Sequence, residues 1–224
     1  MKDAIERIVK NGNSSTLYEL AKRVGNAAPS KATTESMNVV AMTMLNHPVG
    51  EKTRRVVIEK SGDLNEGDGS TEWIEVKSGA CNDPSVVKWR LDVYSGLKEL
   101  VVGDDCLQCV KGFELSEFRC LEKVEIGARC FTKTLGCFEV SGCGALRRFV
   151  IGSGCCVKWS SFVMRNCDSI QEVSIGDGCF VSCENTVFES LDVLTKLTVG
   201  NEAFRGNEKK KSTLVMKSEC FERE

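Results

Sequence analysis

Five stretches decide the fold: LKELVVGDDC at 97–106, LEKVEIGARCF at 121–131, LRRFVIGSGCC at 146–156, IQEVSIGDGCF at 170–180 and LTKLTVGNEAF at 194–204. Their shared glycines are Gly103, Gly127, Gly152, Gly176 and Gly200, spaced by 24, 25, 24 and 24 residues. The opening residues Leu97, Leu121, Leu146, Ile170 and Leu194 keep the same spacings. A fixed period of this length is the signature of a stacked repeat, in which one unit cannot bury its own apolar side and neighbours do so for each other.

A second block, apolar-x-apolar-x-x-apolar, ends three residues before each opening residue. Its copies are Phe113-x-Leu115-x-x-Phe118, Phe138-x-Val140-x-x-Cys143 and Phe162-x-Met164-x-x-Cys167, then a weaker one of Thr186, Phe188 and Leu191. Trp89-x-Leu91-x-x-Tyr94 stands ahead of Leu97. Trp73, Val76 and Gly79 fall one period before Leu97, Leu100 and Gly103, which places a degenerate first unit near residue 72.

Alternation within each unit puts every second side chain on one face of a strand. The glycine after it stands where a tight turn often needs φ > 0. The Cys-Phe pair then turns inward, and the second block supplies a second short strand. No apolar period of 3.6 residues runs for more than a turn or two between 97 and 221. The expected fold is therefore mostly β: a β-solenoid with two short strands per repeat, spanning 72–224 with clear repeats from 97.

This pattern resembles leucine-rich repeats, and within them the BspA-like class, which carries an I-G-x-x-A/C-F segment in units of about this length. The resemblance covers 97–221 well, 72–96 poorly and the N-terminal third not at all. The chain departs from the class in two ways. Cys replaces the usual small residue after the glycine, and all three prolines lie outside the matched repeats. The resemblance implies a non-enzymatic scaffold that meets a protein partner through its exposed β-ladder face. A cell-surface adhesin is the alternative it also implies.

Residues 1–71 read differently. Lys2–Lys10, Thr16–Val24 and Thr34–Leu45 have helical character, and Ile5, Ile8 and Val9 fall on one side of the first. SGDLNEGDGST at 61–71 reads as a loop or linker. A small helical cap and a partly disordered segment are both open readings of this third.

Thirty basic against thirty-two acidic side chains give no reason to expect a nucleic-acid or polybasic membrane binder. The start, MKDAIERIVKNG, is too charged for a secretory h-region, and no 18-residue apolar window occurs. A cytoplasmic location is the expectation; a surface location would need further N-terminal sequence. Thirteen cysteines, an odd number, are most simply kept as thiols in a reducing compartment.

Cys106, Cys130, Cys155 and Cys179 lie three residues after a repeat glycine, with Ala203 in the fifth place; Cys143 and Cys167 share a second repeat position. Interchange with Ala, Phe or Leu marks small buried groups. Two rivals stay open: a cross-repeat disulfide ladder and a thiol-rich redox or metal-binding protein. Against zinc, Cys106-x-x-Cys109 has no second pair at finger spacing and no nearby histidine. The adjacent Cys155 and Cys156 should point to opposite sides of a strand. No metal and no cofactor is expected.

No GxxxxGK[ST], GxGxxG after a strand, HExxH or GxSxG occurs, and the single histidine, His47, precedes Pro48 in a turn. No catalytic residue is assigned. The outward strand positions carry Lys98, Glu99, Glu122, Lys123, Glu125, Arg147, Arg148, Gln171, Glu172 and Lys196, the candidate partner-binding face. Its basic focus is Arg147 and Arg148. One column reads Glu99, Lys123, Arg148, Glu172, Lys196, and opposite charges in neighbouring strands stabilise a ladder by about 0.2–1 kcal/mol per pair.

Overall fold

A computed structural model of the chain describes residues 54–206 and 212–221. The chain divides into two units, Met1–Lys52 and Thr53–Glu224. The helices expected over Lys2–Lys10, Thr16–Val24 and Thr34–Leu45, and His47, lie outside the described residues.

The second unit is a β-solenoid of about six turns. Its strands, in chain order, are β1 (Arg55–Ile58), β2 (Trp73–Val76), β3 (Glu99–Val102), β4 (Gly112–Ser116), β5 (Lys123–Ile126), β6 (Cys137–Ser141), β7 (Arg148–Ile151), β8 (Ser161–Arg165), β9 (Glu172–Ile175), β10 (Asn185–Glu189), β11 (Lys196–Val199) and β12 (Thr213–Lys217). They form two parallel sheets: seven strands in the order β1-β2-β3-β5-β7-β9-β11, and five in the order β4-β6-β8-β10-β12. At a strand spacing of about 4.8 Å the longer sheet runs for roughly 29 Å.

The core lies between the sheets and is made of the repeat consensus. Leu97, Leu121, Leu146 and Ile170 are fully buried, as are Leu115, Phe138, Val140, Phe162 and Met164 of the second block. Phe138 is the hub of an aromatic spine. Its ring lies 4.9 Å from Phe113, 5.8 Å from Phe149, 5.7 Å from Phe162 and 5.7 Å from Phe180. Contacts of this kind add about 0.5–1.5 kcal/mol each beyond the area they bury.

Five expectations change. The sheet starts at β1, not near residue 72. The stretch 61–71 belongs to the first turn, with Ser61–Asn65 in a 3-10 turn and Leu64 and Thr71 buried. The first unit is also out of step with a 24-residue alignment. Trp73 stands opposite Glu99 and Val76 opposite Val102, so Lys77, not Gly79, takes the place of Gly103, and Ala80 takes that of Cys106. Trp89 and Leu91 are buried as their block requires, yet Trp89–Tyr94 forms no strand, and the shorter sheet begins at β4.

The fifth change concerns the glycines. The repeat glycines are not in the left-handed region. They are required by close approach: a Cβ on Gly127 would lie 2.7 Å from the Asp104 nitrogen, one on Gly152 2.7 Å from the Ala128 nitrogen, and one on Gly176 2.6 Å from the Ser153 nitrogen. Positive φ falls instead on the two residues flanking each ladder cysteine: Asp105 and Leu107, Arg129 and Phe131, Gly154 and Cys156, Gly178 and Phe180. A left-handed side chain costs roughly 1–2 kcal/mol. Burying a phenylalanine ring returns about 1.5–3 kcal/mol. The same twist explains why Cys155 and Cys156 are both buried: a left-handed residue breaks strand alternation, so neighbours turn to one side.

Candidate interaction face

Two kinds of position were singled out for function, the inward cysteines and the outward ladder charges. Ten of the thirteen cysteines are buried, Cys120 and Cys137 are exposed, and all are free thiols. Each ladder thiol is engaged as a hydrogen-bond donor. The Cys106 Sγ donates to the Lys77 carbonyl at 3.0 Å, Cys130 to Gly103 at 3.2 Å, Cys155 to Gly127 at 3.0 Å and Cys179 to Gly152 at 3.1 Å. Burial pushes the Cys81 thiol up to about 11 and that of Cys156 well above its ordinary value. The neighbouring Cys130 sulfur first and burial after it push the Cys106 thiol up, and the Cys130 and Cys179 sulfurs followed by burial do the same to Cys155. Sequence reasoning found the column but not its donor role. The signal was the recurrence of cysteine, rather than alanine, three residues after four of the five repeat glycines. Among the described residues no group of three or more His, Cys, Asp or Glu side chains is placed to hold a metal.

The outward column lies in register as its spacing implied. Glu99 stands opposite Lys123, Lys123 opposite Arg148, Arg148 opposite Glu172 and Glu172 opposite Lys196. The one like-charge step, Lys123 to Arg148, is bridged from the neighbouring column. Glu125 meets Lys123 at 3.0 Å and Arg148 at 3.3 Å. Arg148 also pairs with Glu172, which meets Lys196 at 2.8 Å. This network holds the Glu172 carboxyl below the usual carboxylate range, through the Lys196 hydrogen bond first and the Arg148 charge after it.

The remaining residues of the face sit just before their strands. Lys98 precedes β3, is exposed and pairs with Glu72 at 2.9 Å. Glu122, Arg147 and Gln171 precede β5, β7 and β9, all exposed. Their backbones continue the ladder: the Glu122 carbonyl accepts from the N–H groups of Arg147 and Arg148, and that of Arg147 from Gln171 and Glu172. Arg147 and Arg148 thus both face solvent, because the segment between the buried Leu146 and Phe149 departs from strict alternation. They differ in electrostatics: Arg148 is held between two glutamates, whereas Arg147 stands outside that network.

The face extends beyond the residues singled out from the repeats. The Arg55 guanidinium lies 3.3 Å from the Trp73 ring centroid, and Arg55 meets Glu75 at 2.6 Å. Sequence reasoning missed both because it began the array too late. Across the fold, no described helix is long and apolar enough to cross a membrane. No family model, curated protein or solved structure matches the chain.

Proposed function

We propose that the solenoid is a non-enzymatic scaffold that holds a protein partner against the outward face of β3, β5, β7, β9 and β11. The observation that supports this reading is the division of labour between positions. Inward side chains are used up in packing, while outward ones form a rigid face whose columns repeat strand by strand. The resemblance to BspA-like leucine-rich repeats favours the same use, by analogy of architecture. On this face Arg147 is the basic contact and Arg148 its neighbour. A guanidinium suits an acidic or carboxylate-bearing surface, which it can meet through two hydrogen bonds. An intracellular setting suits a chain with so many free thiols.

The test compares the wild-type protein with an Arg147→Ala, Arg148→Ala double variant as baits, with melting curves for both. Loss of a specific captured protein while the variant is still folded at the capture temperature supports the ladder face. Equal capture, or capture that follows unfolding, leaves both arginines as ladder charges and overturns the assignment.

A further inference from the structure

The connectors that lead into the shorter sheet share one inward position. Phe113, Phe138, Phe162 and Thr186 stand in register across β4, β6, β8 and β10. Three residues before them, Val110 and Trp159 are fully buried and Cys183 is nearly so, whereas Leu135 is 74% exposed. Trp159 has taken its room. The indole packs 5.3 Å from the Phe131 ring and 6.0 Å from that of Phe138, and a Cβ on Gly136 would lie 2.7 Å from its Cε2 atom. The indole N–H is itself buried with no hydrogen-bond partner among the described residues. One spot thus combines an apolar side chain in solvent with an unpaired buried donor. Local conflicts of this kind are expected at functional positions.

The charge around Leu135 is of one sign. The stretches 106–113, 130–138 and 155–164 contain Lys111, Lys133 and Lys158 and no Asp or Glu. All three lysines are exposed. Among the described residues, lysine ion pairs are made by Lys77, Lys98, Lys123 and Lys196 and by none of these three. Main-chain bonds stack the connectors: the Lys111 N–H donates to the Val87 carbonyl, Lys133 to Gln108 and Ser160 to Gly136, each at 3.0 Å. Three stacked turns span about 10 Å. On the adjoining sheet face Glu139 is paired with Arg165 at 2.9 Å, and Glu114 accepts from the Ser116 hydroxyl at 3.0 Å. Asp83 and Lys88 share the preceding connector, and Glu184 stands in the following one. The net charge of −2 for the whole chain conceals this strip.

We infer that this corner docks on an anionic lipid surface, with Leu135 inserted at the boundary between headgroups and acyl chains and Lys111, Lys133 and Lys158 among the headgroups. The residue types choose this partner over others. Lysine is a strongly hydrated point charge on a flexible stem, which suits a diffuse layer of anions. It is depleted at protein–protein interfaces, where cations must shed their water, and these three stretches contain no arginine. A nucleic acid would leave Leu135 in water, and the corner offers no exposed aromatic ring for a base to stack on. An apolar side chain ringed by lysines is the pattern of a segment that lies in a membrane interface without crossing it. None of these residues belongs to the ladder face, so a protein held by Arg147 and Arg148 would be carried to the lipid surface.

The test is co-sedimentation of the whole protein with vesicles of phosphatidylcholine containing about one-third phosphatidylserine, against vesicles of phosphatidylcholine alone. Binding should require phosphatidylserine and weaken as salt is added. A Lys111→Gln, Lys133→Gln, Lys158→Gln triple variant should bind at least about tenfold more weakly. Leu135→Ser should lose at least about fivefold, and Leu135→Trp should bind more tightly than the wild type. These side chains are already exposed, so the variants should melt as the wild type does. The Arg147→Ala, Arg148→Ala protein should bind vesicles normally, which separates this test from that of the ladder face. No binding to either vesicle, equal binding to both, or binding unchanged by Leu135→Ser would overturn the inference. So would binding of a Glu-rich peptide or a DNA duplex that the triple variant loses and that phosphatidylserine vesicles do not displace.

Discussion

The thiol of Cys130 donates to the carbonyl of Gly103 in the preceding turn, at 3.2 Å. Gly103 needs that donor because the strand ladder has ended there: the Val102 carbonyl takes the Gly127 N–H, and the next carbonyl turns inward toward the cysteine. The bond recurs from Cys155 to Gly127 and from Cys179 to Gly152. The Cys130 N–H also reaches the Cys155 sulfur, at 3.3 Å. Ala80 and Ala203 close the column at its two ends.

Cys130→Ala should therefore fold, losing about 1–2 kcal/mol in urea melts for the lost bond and a small cavity. Mass spectrometry of native protein should find Cys130 unbridged. A Cys130 disulfide to Cys106 or Cys155, or an unchanged urea midpoint, would contradict the donor role.

Gly127→Ala should be worse than its size suggests. The added Cβ meets the Asp104 nitrogen and the Gly103 carbonyl carbon at 2.7 Å, both backbone atoms of the adjacent turn. Two turns would have to move apart, at a cost of roughly 1–3 kcal/mol or more. Gly144→Ala is the control, since nothing lies within 4 Å of its Cβ. Similar melts for the two would mean that the turns are not in contact at their glycines.

Leu121→Ala and Glu122→Ala test which way the strand faces. Leu121 is fully buried and should cost about 2–5 kcal/mol. Glu122 is exposed and should cost less than about 0.5 kcal/mol. Equal losses would turn the strand inside out.

From residue 97 onward the solenoid was legible because its period is carried by inward side chains; the matched glycines, four leucines and one isoleucine carry the register and core of those turns. The turn from β2 to β3 was not. Its spacing is two residues longer, and Lys77 and Ala80 hold the places of Gly103 and Cys106, so the motif is gone while the backbone persists. The reason for the glycines was also hidden. A sequence shows that a side chain is missing, but whether a dihedral or a neighbouring strand forbids it is a fact of three dimensions. The ladder column was legible from spacing alone. The bridge by Glu125 was not, because it is diagonal, running from one column to the next.

The ladder charges should make the fold sensitive to acid, in a stated direction. Glu172 is held below its ordinary value of 4.5 by the Lys196 hydrogen bond and then by the Arg148 charge. Asp105 is lowered by its hydrogen bonds to Arg129, and Glu75 by those to Lys77 and Arg55. A carboxyl that is more acidic folded than unfolded adds stability above its unfolded pKa and loses it as pH falls through the folded one. These groups are exposed, so each contribution is small and screened by salt. The wild-type melting temperature should fall between about pH 5 and pH 3. Glu172→Gln should melt below the wild type at neutral pH, fall less on acidification and meet the wild-type curve once the pH lies below the folded pKa of Glu172. Added salt at neutral pH should narrow the same gap. Curves that stay parallel on acidification would show that the Arg148–Glu172–Lys196 chain contributes nothing to folding.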